Sequence, residues 1–141
     1  MSTSGTPVNP EAPDLTAVAP TALRSVHFTE RAPNPEIAAE NGIRLIELDG
    51  TRIEGEAELM AAISAGFEFP DYFGANWDAL EECLRDMGSW LEAKGYAIVM
   101  EKGEAFWRAD ADVAGKLVSS WTSAADKWIA EGVPFNLAFI R

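Results

Sequence analysis

Hydrophobic and polar positions alternate along residues 43–140 with two different periods. Short runs rich in β-branched and aromatic residues predict three strands, at residues 43–48, 96–100 and 135–140. Apolar positions recurring every three or four residues predict helices at residues 54–65, about 76–87, 104–108 and 111–131. Strands this apolar, separated by helical crossovers, are typical of parallel sheets. The order β-α-α-β-α-α-β therefore predicts an α/β domain, a small three-stranded parallel sheet with helices packed on it.

The helix predicted from about residue 76 follows an aromatic loop and is the most informative of these elements. Pro70 and Gly74 interrupt the loop, and Asn76 stands where its side chain can cap the helix N-terminus. The apolar positions form a single stripe, made of Trp77, Leu80, Leu84 and Met87. The acidic positions fall off that stripe, so we expect them to face solvent, and they are Asp78, Glu81, Glu82 and Asp86.

The start of the chain has a different composition. Six of the eight prolines lie within the first 35 residues, among many Ser, Thr and Ala residues. Such a segment buries too little apolar surface to offset the entropy of ordering it. We therefore expect residues 1–40 to be a Pro-rich, largely disordered extension and residues 41–141 to be the folded domain.

Composition narrows the function further. The 141 residues carry a formal net charge of −12, which argues against nucleic-acid and anionic-membrane partners, since both require a positive surface. A single Cys excludes an internal disulfide, and with a single His it gives no pattern for a metal or cofactor site. No apolar run approaches the roughly 18 residues of a membrane span. The N-terminus lacks the pattern of a secretory signal, so we expect a cytoplasmic protein.

The negative charge is concentrated in residues 54–86, here called the acidic stretch. It holds nine acidic residues against one basic residue, Arg85. One interpretation is a solvated face that keeps the protein soluble. However, Asp78 and Glu82 are like charges at i,i+4, which repel each other by a few tenths of a kcal/mol. This arrangement favours a second interpretation, a surface that gains stability when a basic partner binds.

The run Tyr72-Phe73-Gly74-Ala75-Asn76-Trp77-Asp78-Ala79-Leu80, followed by Glu82-Cys83-Leu84, resembles the signature of the barstar family of bacterial ribonuclease inhibitors. The resemblance covers residues 43 to 141 approximately. It implies an inhibitor and not an enzyme, without a cofactor and monomeric when free. The implied partner is a basic extracellular ribonuclease of the barnase type, guanyl-specific, whose active site the acidic helix and the aromatic loop would block.

The resemblance also implies roles for particular residues. Tyr72 would pack on the nuclease, Asp78 would face its arginines, and Glu82 would enter the phosphate site. Gly74 and Asn76 would set the geometry of the loop and the cap. The complete set of expected partner-binding residues is Tyr72, Phe73, Gly74, Asn76, Asp78, Glu81, Glu82 and Arg85.

Three positions depart from the family pattern. Glu82 replaces the usual Asp, Glu81 stands where the best-known member of the family has a tryptophan, and Lys127 stands where an acid is expected on the last helix. These departures leave an alternative open, an acidic interaction module or antitoxin-like partner for a different basic protein or nuclease. A third hypothesis uses the paired acids for acid–base chemistry or for Ca²⁺ or Mg²⁺ binding, but no further ligand pattern accompanies them.

Overall fold

The computed structural model describes residues 12–71 and 73–141. Within these residues the chain forms four strands, β1 (Val26–Thr29), β2 (Ile43–Asp49), β3 (Gly95–Glu101) and β4 (Phe135–Ile140). Its five α-helices are α1 (Pro35–Glu40), α2 (Glu56–Gly66), α3 (Trp77–Asp86), α4 (Gly103–Ala109) and α5 (Ala111–Ala130). Short 3₁₀ turns occupy Leu23–Ser25, Gly50–Arg52 and Met87–Ser89. No helix of the described residues is both long enough and apolar enough to cross a membrane.

The strands form one parallel sheet in the order β1-β4-β3-β2. The predicted α/β architecture is confirmed, but the predicted number of three strands is wrong. The additional strand is β1, which pairs with β4 from Val26 opposite Leu137 to Thr29 opposite Ile140. Its four residues carry too weak a local signal to predict a strand, and it is held in place by the distant β4.

The expectation of disorder is consequently wrong for residues 12–40, whereas residues 1–11 lie outside the described residues. One proline that suggested disorder instead begins a helix. Pro35 is the first residue of α1, a position where its missing N–H and its fixed φ are tolerated. Asn34 caps this helix, because its side chain accepts a hydrogen bond from the Glu36 N–H at 2.8 Å. Residues 12–40 are called the N-terminal segment below.

The main core lies between one face of the sheet and the helices α2, α3 and α5. Trp121 of α5 stacks on Phe135 of β4, with ring centroids 3.9 Å apart. The predicted apolar stripe of α3 is confirmed, since Leu80, Leu84 and Met87 are fully buried in this core. A smaller cluster covers the other sheet face and includes Leu15 of the N-terminal segment. Of the two faces of α3, the one with Leu80 and Leu84 is thus buried in the main core, and the opposite face is exposed to solvent.

Candidate functional site

The loop that leads into α3 is anchored by aromatic packing. The buried ring of Phe69 meets Phe73 edge to face at 5.0 Å and Trp90 at 5.9 Å. Phe73 is half-buried and packs against the main core. Its ring therefore stabilises the loop, and only part of the ring is open to a partner.

The start of the loop is held by an arginine from the sheet. The guanidinium of Arg44 on β2 bonds the Gly66 carbonyl at 3.1 Å and the Glu68 carboxylate at 2.8 Å. Glu68 has a φ of 55°, in the left-handed region that non-glycine residues seldom occupy. Because both contacts come from the sheet, the loop leaves α2 in a defined direction.

The predicted N-cap of α3 is confirmed. The Asn76 side-chain oxygen accepts a hydrogen bond from the Ala79 N–H at 2.8 Å. Gly74 lies so close to this cap that an added Cβ would be 3.3 Å from the Asn76 amide nitrogen. Ala75, with a φ of 55°, turns the chain between the two. A small residue at position 74 thus leaves room for the cap that begins the helix.

Two acids on the outer face of α3 have side chains without a partner among the described residues. Asp78 and Glu82 are exposed, and neither carboxylate forms a hydrogen bond or ion pair within the part of the chain that the structure describes. They are one helical turn apart, with the same sign of charge. No cation of the described residues therefore neutralises their negative charge.

Their neighbours Glu81 and Arg85 are used inside the chain. The Glu81 carboxylate lies 3.0 Å from the Arg85 guanidinium and accepts a hydrogen bond from the Ser123 hydroxyl of α5 at 2.7 Å. The same guanidinium donates to the Ser123 hydroxyl at 3.0 Å. These contacts join α3 to α5, so both residues have a structural role.

A second group of contacts continues this junction toward the C-terminal end of α3. The Lys127 ammonium donates a hydrogen bond to the Arg85 carbonyl oxygen and lies 4.1 Å from the centroid of the Trp128 ring. The Trp128 indole N–H donates to the Leu84 carbonyl oxygen at 2.9 Å. A cation is well placed here, because the C-terminal end of a helix carries partial negative charge. The packing of α5 against α3 thus accounts for the cation Lys127 at this end of α3.

Trp77 connects the beginning of α3 to the beginning of α2, a contact that the sequence analysis missed. Its indole N–H donates to the exposed Glu56 carboxylate at 2.8 Å, and its half-buried ring packs against the core. This bond places Glu56 beside the turn that carries Asp78. The two residues are 21 positions apart, so no local pattern predicts the pairing.

Cys83 lies on the inner side of the same helix and is not a reactive thiol. Burial raises its pKa above the usual range, and the negative charges of Glu82 and Asp86 raise the pKa further. The thiol therefore stays protonated near neutral pH. Within residues 12–71 and 73–141, no group of three or more His, Cys, Asp or Glu residues is placed to hold a metal ion.

The structure divides the expected partner-binding residues into two groups. Exposed at the start and along the outer face of α3 are Gly74, Asn76, Asp78 and Glu82. Engaged in internal contacts are Phe73, Glu81 and Arg85. Tyr72 lies outside the described residues. The available surface is thus a capped helix N-terminus with two carboxylates that are unpaired within the described residues.

Comparisons with known proteins give one family and one shared fold. The profile of the family described as "Barstar (barnase inhibitor)" matches residues 43–140. No curated protein matches the chain. A chain from the solved "Structure of Drosophila ORC bound to DNA" is similar, with a TM-score of 0.52 and 14% identity. The match covers 76% of this chain but only 26% of that much longer chain, so it indicates a shared fold alone.

Proposed function

The chain belongs to the barstar (barnase inhibitor) family, and on that premise we propose that it inhibits a basic, secreted, guanyl-specific ribonuclease by blocking its active site. The observation that supports this proposal is the pair of unpaired carboxylates, Asp78 and Glu82, on the outer face of α3. Members of this family are inhibitors and not enzymes. The inhibitor acts as a monomer in the cytoplasm of the producing cell, before the nuclease is exported.

The chemistry of the surface suits such a partner. A ribonuclease active site must hold the negative phosphates of RNA, so it presents cationic groups in a cleft. Asp78 and Glu82 are separated by about 6 Å along the helix axis and would occupy the places of these phosphates. The two carboxylates repel each other in the free protein, and binding to a cationic cleft would offset this repulsion.

Rigidity adds to this complementarity. The Asn76 cap, the aromatic packing of Phe73 and the Trp77–Glu56 bond all hold the start of α3 in place. A surface that is already ordered loses little conformational entropy on binding. The charge of the acidic stretch would also accelerate association with a basic protein, in a salt-dependent manner.

Inhibition assays on a panel of secreted guanyl-specific ribonucleases test the proposal. We expect at least one member to be inhibited at micromolar or lower protein concentration, with association that slows as the salt concentration rises. Absence of inhibition across the panel at low salt would refute the ribonuclease-inhibitor function.

A matched pair of charge reversals tests the assigned surface. The double variant Asp78→Lys with Glu82→Lys should abolish inhibition while the protein remains folded. The control is Glu36→Lys with Glu40→Lys, which changes the net charge equally at two exposed acids with the same i,i+4 spacing on α1. Equal loss of inhibition in both variants would mean that net charge, rather than this face, determines binding.

A second candidate function keeps the surface and changes the partner. The cations Arg85 and Lys127 at the C-terminal end of α3 make this part of the surface less suited to a uniformly basic cleft. This observation favours an acidic interaction module or antitoxin-like partner for a different basic protein or nuclease. Isolation of the bound partner from native lysate at low salt distinguishes the two, since a partner without guanyl-specific ribonuclease activity supports the second.

A further inference from the structure

The N-terminal segment lies outside the region that matches the family, yet it completes the sheet. β1 runs along the outer side of β4 over four paired residues, and the Arg141 N–H extends this pairing by donating to the Thr29 carbonyl at 3.0 Å. Without β1, strand β4 would be the edge of the sheet. Its outward N–H and C=O groups would then be open to pairing with another chain.

β4 is poorly suited to such an exposed position. Its sequence Phe-Asn-Leu-Ala-Phe-Ile has no charge, and all six of its residues are buried. An uncharged, largely apolar strand of this length is the kind of edge that pairs with other chains. β1, which replaces it at the edge, has only four residues and is flanked by the exposed charges of Arg24, Glu30 and Arg31. Short strands with nearby charge resist edge pairing.

Side chains also attach the N-terminal segment to β4. Asn136 is 1% exposed, and its amide nitrogen donates to the Ala17 carbonyl at 3.1 Å, while its oxygen lies 2.9 Å from His27 Nε2. A polar residue in a buried strand needs such partners. Leu15, 3% exposed, packs with Ala38 over the second face of the sheet.

We propose that the N-terminal segment is a built-in edge strand that occupies the pairing surface of β4 and so prevents self-association through it. The surface recognises an extended strand by its backbone groups, as in β-strand addition. In the intact protein the occupant is the chain's own residues 26–29. When the segment is displaced, the occupant is β4 of a second copy of this chain.

A pair of Leu→Asp variants in the full-length protein tests the inference. Leu15→Asp places an unpaired charge in the buried contact that attaches the segment, whereas Leu23→Asp makes the same change at a side chain that is 74% exposed. For Leu15→Asp we expect a concentration-dependent dimer in sedimentation, with β1 amides exchanging at least about tenfold faster than in the parent. The dimer should retain protected β4 amides and the helical circular-dichroism signal of the parent. Leu23→Asp should behave as the parent does.

Several results would overturn the inference. A Leu15→Asp protein that stays folded and monomeric would contradict the inference, either because β4 does not self-associate when the β1 amides exchange faster or because Leu15 does not attach the segment when their exchange is unchanged. An unfolded monomer would mean that the segment supports the core. Equal dimerisation of the Leu23→Asp control would attribute the effect to the added charge. Loss of the helical signal in the dimer would mean that the segment supports the core rather than protecting an edge. No ribonuclease is used, so the outcome is independent of the proposed inhibitor function.

Discussion

The adjacent residues Glu81 and Glu82 are predicted to respond in opposite ways to the same substitution. Glu81 is bonded to Arg85 and to Ser123 of α5, whereas Glu82 is exposed and unpaired within the described residues. Glu81→Ala should therefore reduce stability, and Glu82→Ala should reduce partner binding. The two variants share a helix, a residue type and a charge change, so each serves as the control for the other.

The contacts of Glu81 set the expected loss of stability. An i,i+4 ion pair of partly exposed side chains contributes about 0.3–0.5 kcal/mol. The Ser123 hydrogen bond to a charged acceptor would add more, but the carboxylate is 30% exposed and Ser123 keeps its bond to Arg85. We therefore expect Glu81→Ala to lower the free energy of unfolding by about 1 kcal/mol and Tm by roughly 3 °C. Glu82→Ala should change it by no more than about 0.5 kcal/mol, since it also removes repulsion with Asp78.

For partner binding we expect the opposite order, with Glu82→Ala causing the larger loss of affinity and Glu81→Ala the smaller. Loss of a buried interfacial charge costs on the order of 2–5 kcal/mol, or at least about 30-fold in Kd. This range is the general one for charge-pair truncations at protein interfaces, and complexes of this family are among those that define it. Thermal unfolding and inhibition titrations of both variants are the measurements. If Glu82→Ala destabilises the protein as much as Glu81→Ala, or if both lose inhibition equally, the division of these acids into structural and binding groups is wrong.

Three further predictions concern α3. Asn76→Ala should cost about 1 kcal/mol, because it removes the cap on the Ala79 N–H, and urea unfolding would measure it; an unchanged midpoint would contradict the cap. Trp77→Phe removes the hydrogen bond to Glu56 and should speed partner dissociation by loosening the start of α3. Glu56→Gln keeps the hydrogen-bond acceptor and should leave dissociation unchanged. Surface plasmon resonance measures both dissociation rates, and equal rates would refute the positioning role of Trp77. The raised pKa of Cys83 means that the unfolded thiol ionises at a lower pH than the folded one. The contribution of the protonated thiol to stability is therefore intact below about pH 8.5 and is lost as the pH rises toward the folded pKa. Tm between pH 7 and 10 should consequently fall more steeply in the parent than in Cys83→Ala. Parallel curves for the two proteins would contradict this.

Features that depend on neighbouring residues were predictable. α3 follows from the cap at Asn76 and from apolar residues at intervals of three and four, and both are properties of a short stretch of chain. α5 was predicted at residues 111–131 and is observed at Ala111–Ala130 for the same reason. The concentration of charge in the acidic stretch and the family signature around Asn76 are likewise read directly from the chain, and residues 43–140 match that family.

The sequence by itself therefore determined the parallel α/β architecture, the family, and the helix that presents the acids. Only the tertiary structure decided which of those acids are free. The i,i+4 spacing of Glu81 and Arg85 already indicates an ion pair, but only the packing of α5 on α3 brings Ser123 to Glu81 and leaves Glu82 in solvent. The same holds for β1, since its four residues are stabilised by β4 more than a hundred positions away. In each case the deciding energy comes from a contact between distant segments, which no local pattern of residues records.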